Sequence, residues 1–492
     1  MAIITFPMKS PISRRRFLGQ LNCAALGSSA ALGTLLNLKL ANALAADAPC
    51  TDCRSLVCLF LSGGCDSYNV LVPYEASRYA AYSDARGTSG SDGGLALDRN
   101  ALLRLPSPSG DFGLHPALNQ ALQMASGTGT FAGRKRLAFA ANVGTLIQPI
   151  TKAQFNSWEE GNNAALPVPK ALFSHSDQVE QWQTAVPQGM SQLTGWAGRA
   201  ADILQSLNSA DAGSMSLSLS GNNVLQVGNQ SQQFVITENG AIAFESGPPG
   251  SPILLRNAAF RNVLDQHYSN LLTEGFSQVT RQSLDAQARF QRIFDSPSAD
   301  LGAEIDGLFP MNNYLARVLR AVVRTIQVRS LLGLKRQTFF VDYGGWDHHS
   351  ELLNTEAGML EQFDEAIGAY QQALERLGLA DSVLTFTASD FGRTLRSNGR
   401  GTDHAWGGNV MAFGGAVDGG KVVGRYPDLT LDGPDDVGHG GRIMPGTAVD
   451  LYFAEMLKWF GVPPSNLSYV LPNIKNFYNP ASATPPLGFL KA

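Results

Sequence analysis

Residues 338–408 constrain the fold most strongly, because two short apolar runs in this stretch each stop in a loop rich in Gly, Asp and His. The runs are residues 338–341 and 383–387. Apolar residues recur between them at steps of three and four, which indicates one face of an amphipathic helix. These residues are Leu360, Phe363, Ile367, Tyr370, Leu374 and Leu377, and Gly378 is a typical stop. The order strand, helix, strand predicts a right-handed crossover between parallel strands.

Parallel strands in such a unit place the loops that follow them at the same edge of the sheet, where open α/β sheets bind ligands. Asp347 and Asp390 are therefore expected at one edge. Residues 56–61 (LVCLFL) resemble a strand buried on both faces, and they are followed by a glycine-rich loop that contains Asp66. The sequence thus predicts an α/β fold with a mostly parallel central sheet flanked by helices.

The first 45 residues have the composition of an export signal. They contain five basic residues and no acidic one, and SRRRFL at residues 13–18 matches the twin-arginine pattern. We expect residues 1–45 to be a signal peptide read by the twin-arginine export machinery, and the mature protein to be periplasmic or extracellular. No later segment is apolar and long enough to span a membrane.

Removal of the signal leaves 32 basic against 41 acidic residues, a net charge near −9. Such a protein is not suited to neutralising nucleic-acid phosphates. Residues 46–492 are expected to form a single α/β domain, because 44% hydrophobic residues supply a large core. Cys50 and Cys53, near the new amino terminus, suggest a small local disulfide.

An insertion is expected at about residues 213–335. Residues 213–246 alternate in short runs, with turn pairs at 221–222 and 239–240, which indicates β-hairpins. From residue 255 to residue 334 apolar residues recur at helical steps. These helices would cover the sheet or form a cap.

Four carboxylates and two imidazoles are predicted near one edge of the sheet, where they would repel each other or compete for protons unless a cation lies between them. A divalent ion is the expected cofactor, namely zinc, manganese, magnesium or calcium. The alternative is that each acid only caps a helix or forms a turn. The predicted metal ligands are Asp66, Asp347, His349, Asp390, Asp403 and His404.

An ordered set of motifs resembles the DUF1501 family over nearly the whole mature chain. The motifs are GGCDSYNVLVPY (63–74), HP (115–116), GGWDHH (344–349), SDFGRT (389–394), GTDH (401–404) and GGKVVGRYPDL (419–429). That family is similar in fold to the alkaline phosphatase and sulfatase superfamily, so the resemblance implies an alkaline-phosphatase-like sheet with metal ligands on its carboxyl-edge loops.

The resemblance implies that Asp66 follows the first strand, that Asp347 and His349 serve one metal site, and that His404 closes the set. Asp390 would serve a second site, although Phe391 stands where the superfamily usually has a histidine. By position, the resemblance implies Ser174 or Ser176 as the nucleophile. Arg393 and Arg396 would hold an anionic ester, or would instead be solvated or pair with Asp403.

The sequence therefore predicts an exported metal-dependent hydrolase of a phosphate, sulfate or related ester, acting on a small molecule or a glycan. The alternative prediction is a non-catalytic secreted binding or assembly protein that retains the fold. A formylglycine-type sulfatase is disfavoured because the sequence has no C-x-P-x-R motif.

Overall fold

The apolar runs recognised in the sequence form the centre of a mixed α/β fold. The computed structural model describes residues 52–88, 90–189, 194–210, 212–242 and 248–491. Asp52–Ala492 is one compact unit. The predicted signal peptide (residues 1–45) and Cys50 lie outside the described residues, whereas Cys53 is disulfide-bonded. Within the described part of the chain, no helix has the length and apolar character needed to cross a membrane.

The described residues contain thirteen strands. They are β1 (Arg54–Leu61), β2 (Leu71–Pro73), β3 (Leu103–Ser107), β4 (Gly110–Leu114), β5 (Leu137–Gly144), β6 (Ser216–Ser218), β7 (Phe234–Thr237), β8 (Gly240–Ala241), β9 (Arg336–Asp342), β10 (Val383–Ser389), β11 (Gly408–Gly414), β12 (Val422–Val423) and β13 (Thr447–Ala448).

Ten of these strands form one mostly parallel sheet in the order β12, β5, β11, β10, β1, β9, β6, β7, β8, with β13 also pairing with β5. Strand β1 lies between β10 and β9 and is parallel to both. Leu61 is opposite Ser389 and Phe60 is opposite Asp342, so the three strands end at the same edge. Strand β11 runs antiparallel to β10. Strands β2, β4 and β3 form a separate small sheet.

Helices cover the sheet and connect its strands. They are α1 (Ser67–Val70), α2 (Ala76–Arg86), α3 (Asn119–Ser126), α4 (Lys152–Glu159), α5 (His175–Thr184), α6 (Trp196–Leu204), α7 (Pro252–Leu264), α8 (Leu271–Phe294), α9 (Ala303–Asp306), α10 (Tyr314–Gln327), α11 (Leu352–Arg376), α12 (Val449–Phe460) and α13 (Leu467–Val470).

Helix α11 is the crossover helix that the sequence predicted between β9 and β10. The predicted apolar face from Leu360 to Leu374 is buried, and the hydroxyl of Tyr370 is 3.1 Å from that of Thr385 on β10. The chain leaves the helix through Gly378, whose φ of +66° suits a glycine. The crossover fixes the positions of both loops that carry candidate ligands.

The insertion departs from its prediction at one turn. The prediction of a β-hairpin at residues 221–222 is wrong, because β6 and β7 run parallel and β6 extends the main sheet beside β9. The turn at 239–240 does join two antiparallel strands, β7 and β8. Short alternating runs fit both arrangements, since a parallel strand of three residues leaves little pattern in a sequence.

Candidate metal centre

Four segments meet at the carboxyl edge of the sheet. The loop after β9 contributes Asp347 and His349, and the loop after β10 contributes Asp390. The third segment contributes His404, which an isolated antiparallel β-bridge to Arg393 holds at this edge of the sheet. The fourth segment is the start of α5, which contributes His175.

Three imidazole Nε2 atoms and one carboxylate converge there. The Nε2 atom of His404 is 3.1 Å from the Nε2 atoms of both His175 and His349. Asp347 Oδ1 is 3.0 Å from His349 Nε2 and 3.5 Å from His404 Nε2, and Asp347 Oδ2 is 3.4 Å from His175 Nε2. Ligands of a tetrahedral zinc ion, with bonds of about 2.0–2.1 Å, lie roughly 3.3 Å apart. The ligand atoms of His175, Asp347 and His404 all lie within 4.8 Å of one another and suit three positions of such a sphere, whereas His349 contacts Asp347 and His404 but lies outside this group.

Each of the three histidines has an acceptor on its other ring nitrogen. His175 Nδ1 is 2.7 Å from Asp390 Oδ2, His349 Nδ1 is 3.2 Å from Asp403 Oδ1, and His404 Nδ1 is 2.8 Å from the carbonyl oxygen of Phe173. These contacts favour a proton on Nδ1, which leaves the Nε2 lone pair free to bind a cation. Asp390 and Asp403 thereby orient imidazoles, while Asp347 lies among the converging atoms.

Asp347 is kept ionised by a buried arginine. Arg393 is fully buried, and its Nη1 donates a hydrogen bond of 2.7 Å to Asp347 Oδ1. Burial acts to raise the pKa of Asp347, but the hydrogen bond and charge of Arg393 outweigh it and hold the pKa below its ordinary value. The carboxylate is therefore available as a charged ligand at neutral pH.

Burial shifts the pKa values of Asp390 and His404 in opposite directions. Burial raises the pKa of Asp390, which is 2% exposed, although hydrogen bonds from His175 and the Gly63 amide oppose the change. Burial lowers the pKa of His404, which favours its neutral form. A neutral imidazole is the form that binds a metal.

The centre is open to solvent on one side. The side chains of Asp347 and His349 are 43% and 45% exposed, and those of His175 and His404 are 34% and 25% exposed. His348, in contrast, is buried. A ligand from solution would reach the centre from the exposed side.

The structure brings five of the six predicted ligands together and places Asp66 elsewhere. Asp66 is fully buried, and both of its carboxylate oxygens accept hydrogen bonds from Arg86. Its charge is neutralised by that arginine, so this carboxylate needs no cation.

The three residues predicted for catalysis lie around the centre in other roles. Ser174 and Ser176 flank His175 in the first turn of α5, and their hydroxyls are 2.5 and 3.3 Å from Asp177 Oδ2. Arg393 is enclosed by Asp347, the Gly63 carbonyl and Thr402. A fully buried guanidinium with these partners positions Asp347 and has no exposed surface for an ester.

Sequence reasoning missed His175 as a ligand. His175 lies between the two candidate serines. Its position at the start of a helix that returns to the sheet edge leaves no recognisable pattern in the sequence. Phe391, which replaces the expected histidine, contacts the rings of His175 and His404 at centroid distances of 4.8 and 4.7 Å. A histidine from another element thus occupies the region where a ligand was expected from β10.

Comparisons with known proteins place the chain in a family. Residues 53–440 match the DUF1501 family, described as a protein of unknown function. The chain belongs to this family. No curated protein matches the sequence.

One solved structure with a detectable similarity is titled "Crystal structure of Ps i-CgsB in complex with k-i-k-neocarrahexaose". The identity is 13% and the TM-score 0.29, over 87% of this chain and 78% of that one. A TM-score of this size carries no argument about function.

Proposed function

We propose that this protein is an exported metal-dependent hydrolase of a phosphate, sulfate or related ester. The observation that carries the proposal is the convergence of His175, His404 and Asp347 on one solvent-open point, with His349 beside them and each histidine oriented by an acceptor. The ester class rests on the motif resemblance to the alkaline phosphatase and sulfatase superfamily, whose fold we propose for this chain.

Two imidazole nitrogens and one carboxylate oxygen, with a third imidazole adjacent, suit zinc best among the candidate ions. Magnesium and calcium prefer all-oxygen sites, whereas imidazole suits zinc and the later transition metals. A bound divalent ion would supply Lewis-acid polarisation of an ester oxygen and a nucleophile from water at neutral pH. The open face leaves room for the ester beside these ligands.

The chain's own residues hold this arrangement in place. Asp390 and Asp403 keep protons on the Nδ1 atoms of His175 and His349, and Arg393 fixes the carboxylate of Asp347. In the described residues the hydroxyls of Ser174 and Ser176 contact each other and Asp177 rather than the converging Nε2 atoms or Asp347, so we propose water as the attacking group. This choice replaces the serine nucleophile that the resemblance implied.

Elemental analysis and turnover together test the proposal. Protein purified without chelators or a histidine tag is expected to contain one zinc ion per chain and to hydrolyse an aryl phosphate or an aryl sulfate. His175→Ala and His404→Ala should lose both the ion and turnover, and the control His267→Ala, at a side chain 92% exposed, should keep both. A protein that binds no divalent ion, with EDTA leaving its melting temperature unchanged, would refute the proposal.

A second candidate is a secreted binding or assembly protein in which the ion is structural. The observation in its favour is that His349 adjoins the group of His175, His404 and Asp347, so a small shift of its side chain would supply the fourth protein ligand that is typical of structural zinc. In that case EDTA would lower the melting temperature, but no phosphate or sulfate ester would be hydrolysed.

We also propose that the twin-arginine machinery exports the protein to the periplasm or beyond. The proposal rests on SRRRFL at residues 13–18, and the disulfide at Cys53 is in keeping with an oxidising compartment. Replacement of Arg14 and Arg15 by lysine should retain the protein in the cytoplasm, as cell fractionation would reveal.

A further inference from the structure

Two arginines beside the candidate metal centre carry charges that no described carboxylate neutralises. Arg442 is half-buried and Arg396 is exposed. In the part of the chain that the structure describes, neither guanidinium forms an ion pair, whereas Arg393 is paired with Asp347. Arginine is the residue that suits recognition of carboxylate, phosphate and sulfate groups. The two side chains are therefore candidates for an anion site next to the centre.

A glycine-rich loop at residues 437–442 brings the two arginines onto neighbouring segments. The loop turns back on itself, because the amide of Arg442 donates a hydrogen bond of 3.1 Å to the carbonyl oxygen of Gly438. The amide of Arg396 donates a hydrogen bond of 2.8 Å to the carbonyl oxygen of Gly440. Both guanidinium groups thus extend from one small part of the surface.

Arg442 lies one residue's length from the converging ligand atoms. Its Nε donates a hydrogen bond of 3.0 Å to the carbonyl oxygen of His404, and its guanidinium carbon is 3.8 Å from the ring centroid of Phe173. The carbonyl oxygen of Phe173 lies 2.8 Å from His404 Nδ1. The carbonyl oxygen and the Nε2 atom of His404 are at opposite ends of that residue. An anion on Arg442 would therefore be a different group from one bound at the converging atoms.

Two carboxylates act on Arg442 through their charge, but both have other partners. Glu159 Oε1 is 3.0 Å from His439 Nε2, and Asp403 Oδ1 is 3.2 Å from His349 Nδ1. Burial lowers the pKa of Arg442, and the charges of Glu159 and Asp403 offset only part of this effect. A partly desolvated guanidinium without an ion pair gains free energy when an anion binds. Its planar fork can donate two parallel hydrogen bonds to an oxyanion.

We infer that the substrate carries a second anionic group, which Arg442 and Arg396 bind while the scissile ester lies at the candidate metal centre. The inference rests on the proposed ester hydrolysis and adds a substrate class to it. That class is esters in which a phosphate, sulfate or carboxylate is separated from the scissile bond by roughly the length of a sugar or aromatic ring. The arginines select such esters by binding, so their removal raises KM more than it lowers kcat.

Isothermal titration calorimetry with two phosphonates tests the inference, because the C–P bond of a phosphonate is not an ester bond. Propane-1,3-bisphosphonate carries two anionic groups and propylphosphonate carries one. Zinc-loaded wild-type protein is expected to bind the bisphosphonate at least about tenfold more tightly. In Arg396→Gln/Arg442→Gln this ratio should fall to about twofold, and Arg442→Lys should keep only part of it, because lysine lacks the fork. The control Arg376→Gln, at the carboxyl end of α11 and the opposite edge of the sheet, should keep the full ratio.

Zinc content and thermal melting of each variant show whether the centre is intact, because Arg442 also bonds the His404 carbonyl. If the double variant loses zinc, Arg396→Gln alone should still lower the ratio at least about twofold. Equal affinity of the wild type for both phosphonates, or a ratio that the arginine substitutions leave unchanged, would overturn the inference. Protein with zinc and ester turnover but without this preference would overturn it alone, whereas protein without zinc or turnover would overturn the proposed function as well.

Discussion

At the scale of single residues, Asp390 shows how a buried acid can orient a candidate metal ligand without being one of the converging atoms. Its Oδ2 is 2.7 Å from His175 Nδ1, while its Oδ1 accepts a hydrogen bond of 3.1 Å from the Gly63 amide. The carboxylate thus orients one imidazole and anchors the loop after β1. Partners of this kind are as important to a metal site as the ligands themselves.

Asp390→Asn should lower zinc affinity about 10–100-fold, because the amide orients His175 less firmly and makes its Nε2 less basic. Competition titration with a chromophoric chelator measures the change. Asp381→Asn, at a side chain 85% exposed, is the control and should leave affinity unchanged. If Asp390→Asn also left affinity unchanged, Asp390 would have no part in orienting a ligand.

The serines beside His175 allow a second prediction. Because their hydroxyls are hydrogen-bonded to Asp177, Ser174→Ala and Ser176→Ala should each leave kcat within about twofold of wild type. Steady-state turnover of the aryl ester measures this. Loss of a nucleophile typically costs several orders of magnitude in kcat. A decrease of that size in either variant would restore the serine mechanism and contradict attack by water.

At the scale of elements, the site depends on how closely the loops after β1 and β9 approach each other. Gly63 has a φ of +117°, and a Cβ atom there would lie 2.5 Å from the amide nitrogen of Asp347. The two loops can adopt these positions only if residue 63 has no side chain. The candidate metal centre is therefore expected to be sensitive to substitution of Gly63, which carries no functional group.

Gly63→Ala should destabilise the protein by more than about 2 kcal/mol and weaken metal binding, since it adds both backbone strain and a clash with the ligand loop. Gly358→Ala is a matched control that should change the free energy of unfolding in the opposite direction. Gly358 lies in α11 with open space around it, so an alanine should stabilise that helix by about 0.5–1 kcal/mol. Urea unfolding measures both changes. Equal effects of the two substitutions would contradict the proposed close approach.

The elements also explain what could be predicted from the sequence. Strands β1, β9 and β10 each contain a short apolar run and α11 has a regular apolar face, so the order of these elements and the shared edge for Asp347 and Asp390 could be predicted. Asp66 lies at the expected strand end, but its partner Arg86 is twenty residues further along and only the tertiary structure brings them together. His175 was missed for the same reason, because its partners lie more than 170 residues away.

At the scale of the whole molecule, several buried acids make stability depend on pH. Burial raises the pKa of Asp450 to about 8 and that of Asp364 to about 6. The pKa values of Asp342 and Glu356 are also raised, again mainly by burial. Arg393 and His349, in contrast, help to hold the pKa of Asp347 down. The raised carboxyls contribute stability that is lost as pH rises, whereas burial lowers the pKa values of His115, His348 and His404, and their contribution is lost as pH falls.

Asp450, at the start of α12, should contribute measurably to this dependence. An aspartate in an unfolded chain has a pKa of about 3.9, so between that pH and about 8 the folded protein holds a proton on Asp450 that the unfolded chain has released. The free energy of unfolding therefore decreases as pH rises through this range, by up to about 1.4 kcal/mol per pH unit from this group.

Asp450→Asn should remove this contribution, because the amide does not titrate. Chemical unfolding of the wild type and the variant at pH 5, 6 and 7 measures the difference between their free energies of unfolding. Relative to wild type, Asp450→Asn should gain about 2–3 kcal/mol between pH 5 and pH 7. The same substitution at Asp381, whose side chain is 85% exposed, should leave the two pH profiles parallel. Parallel profiles for Asp450→Asn as well would mean that this carboxyl is ionised in the folded protein, with Arg199 compensating its charge despite its burial.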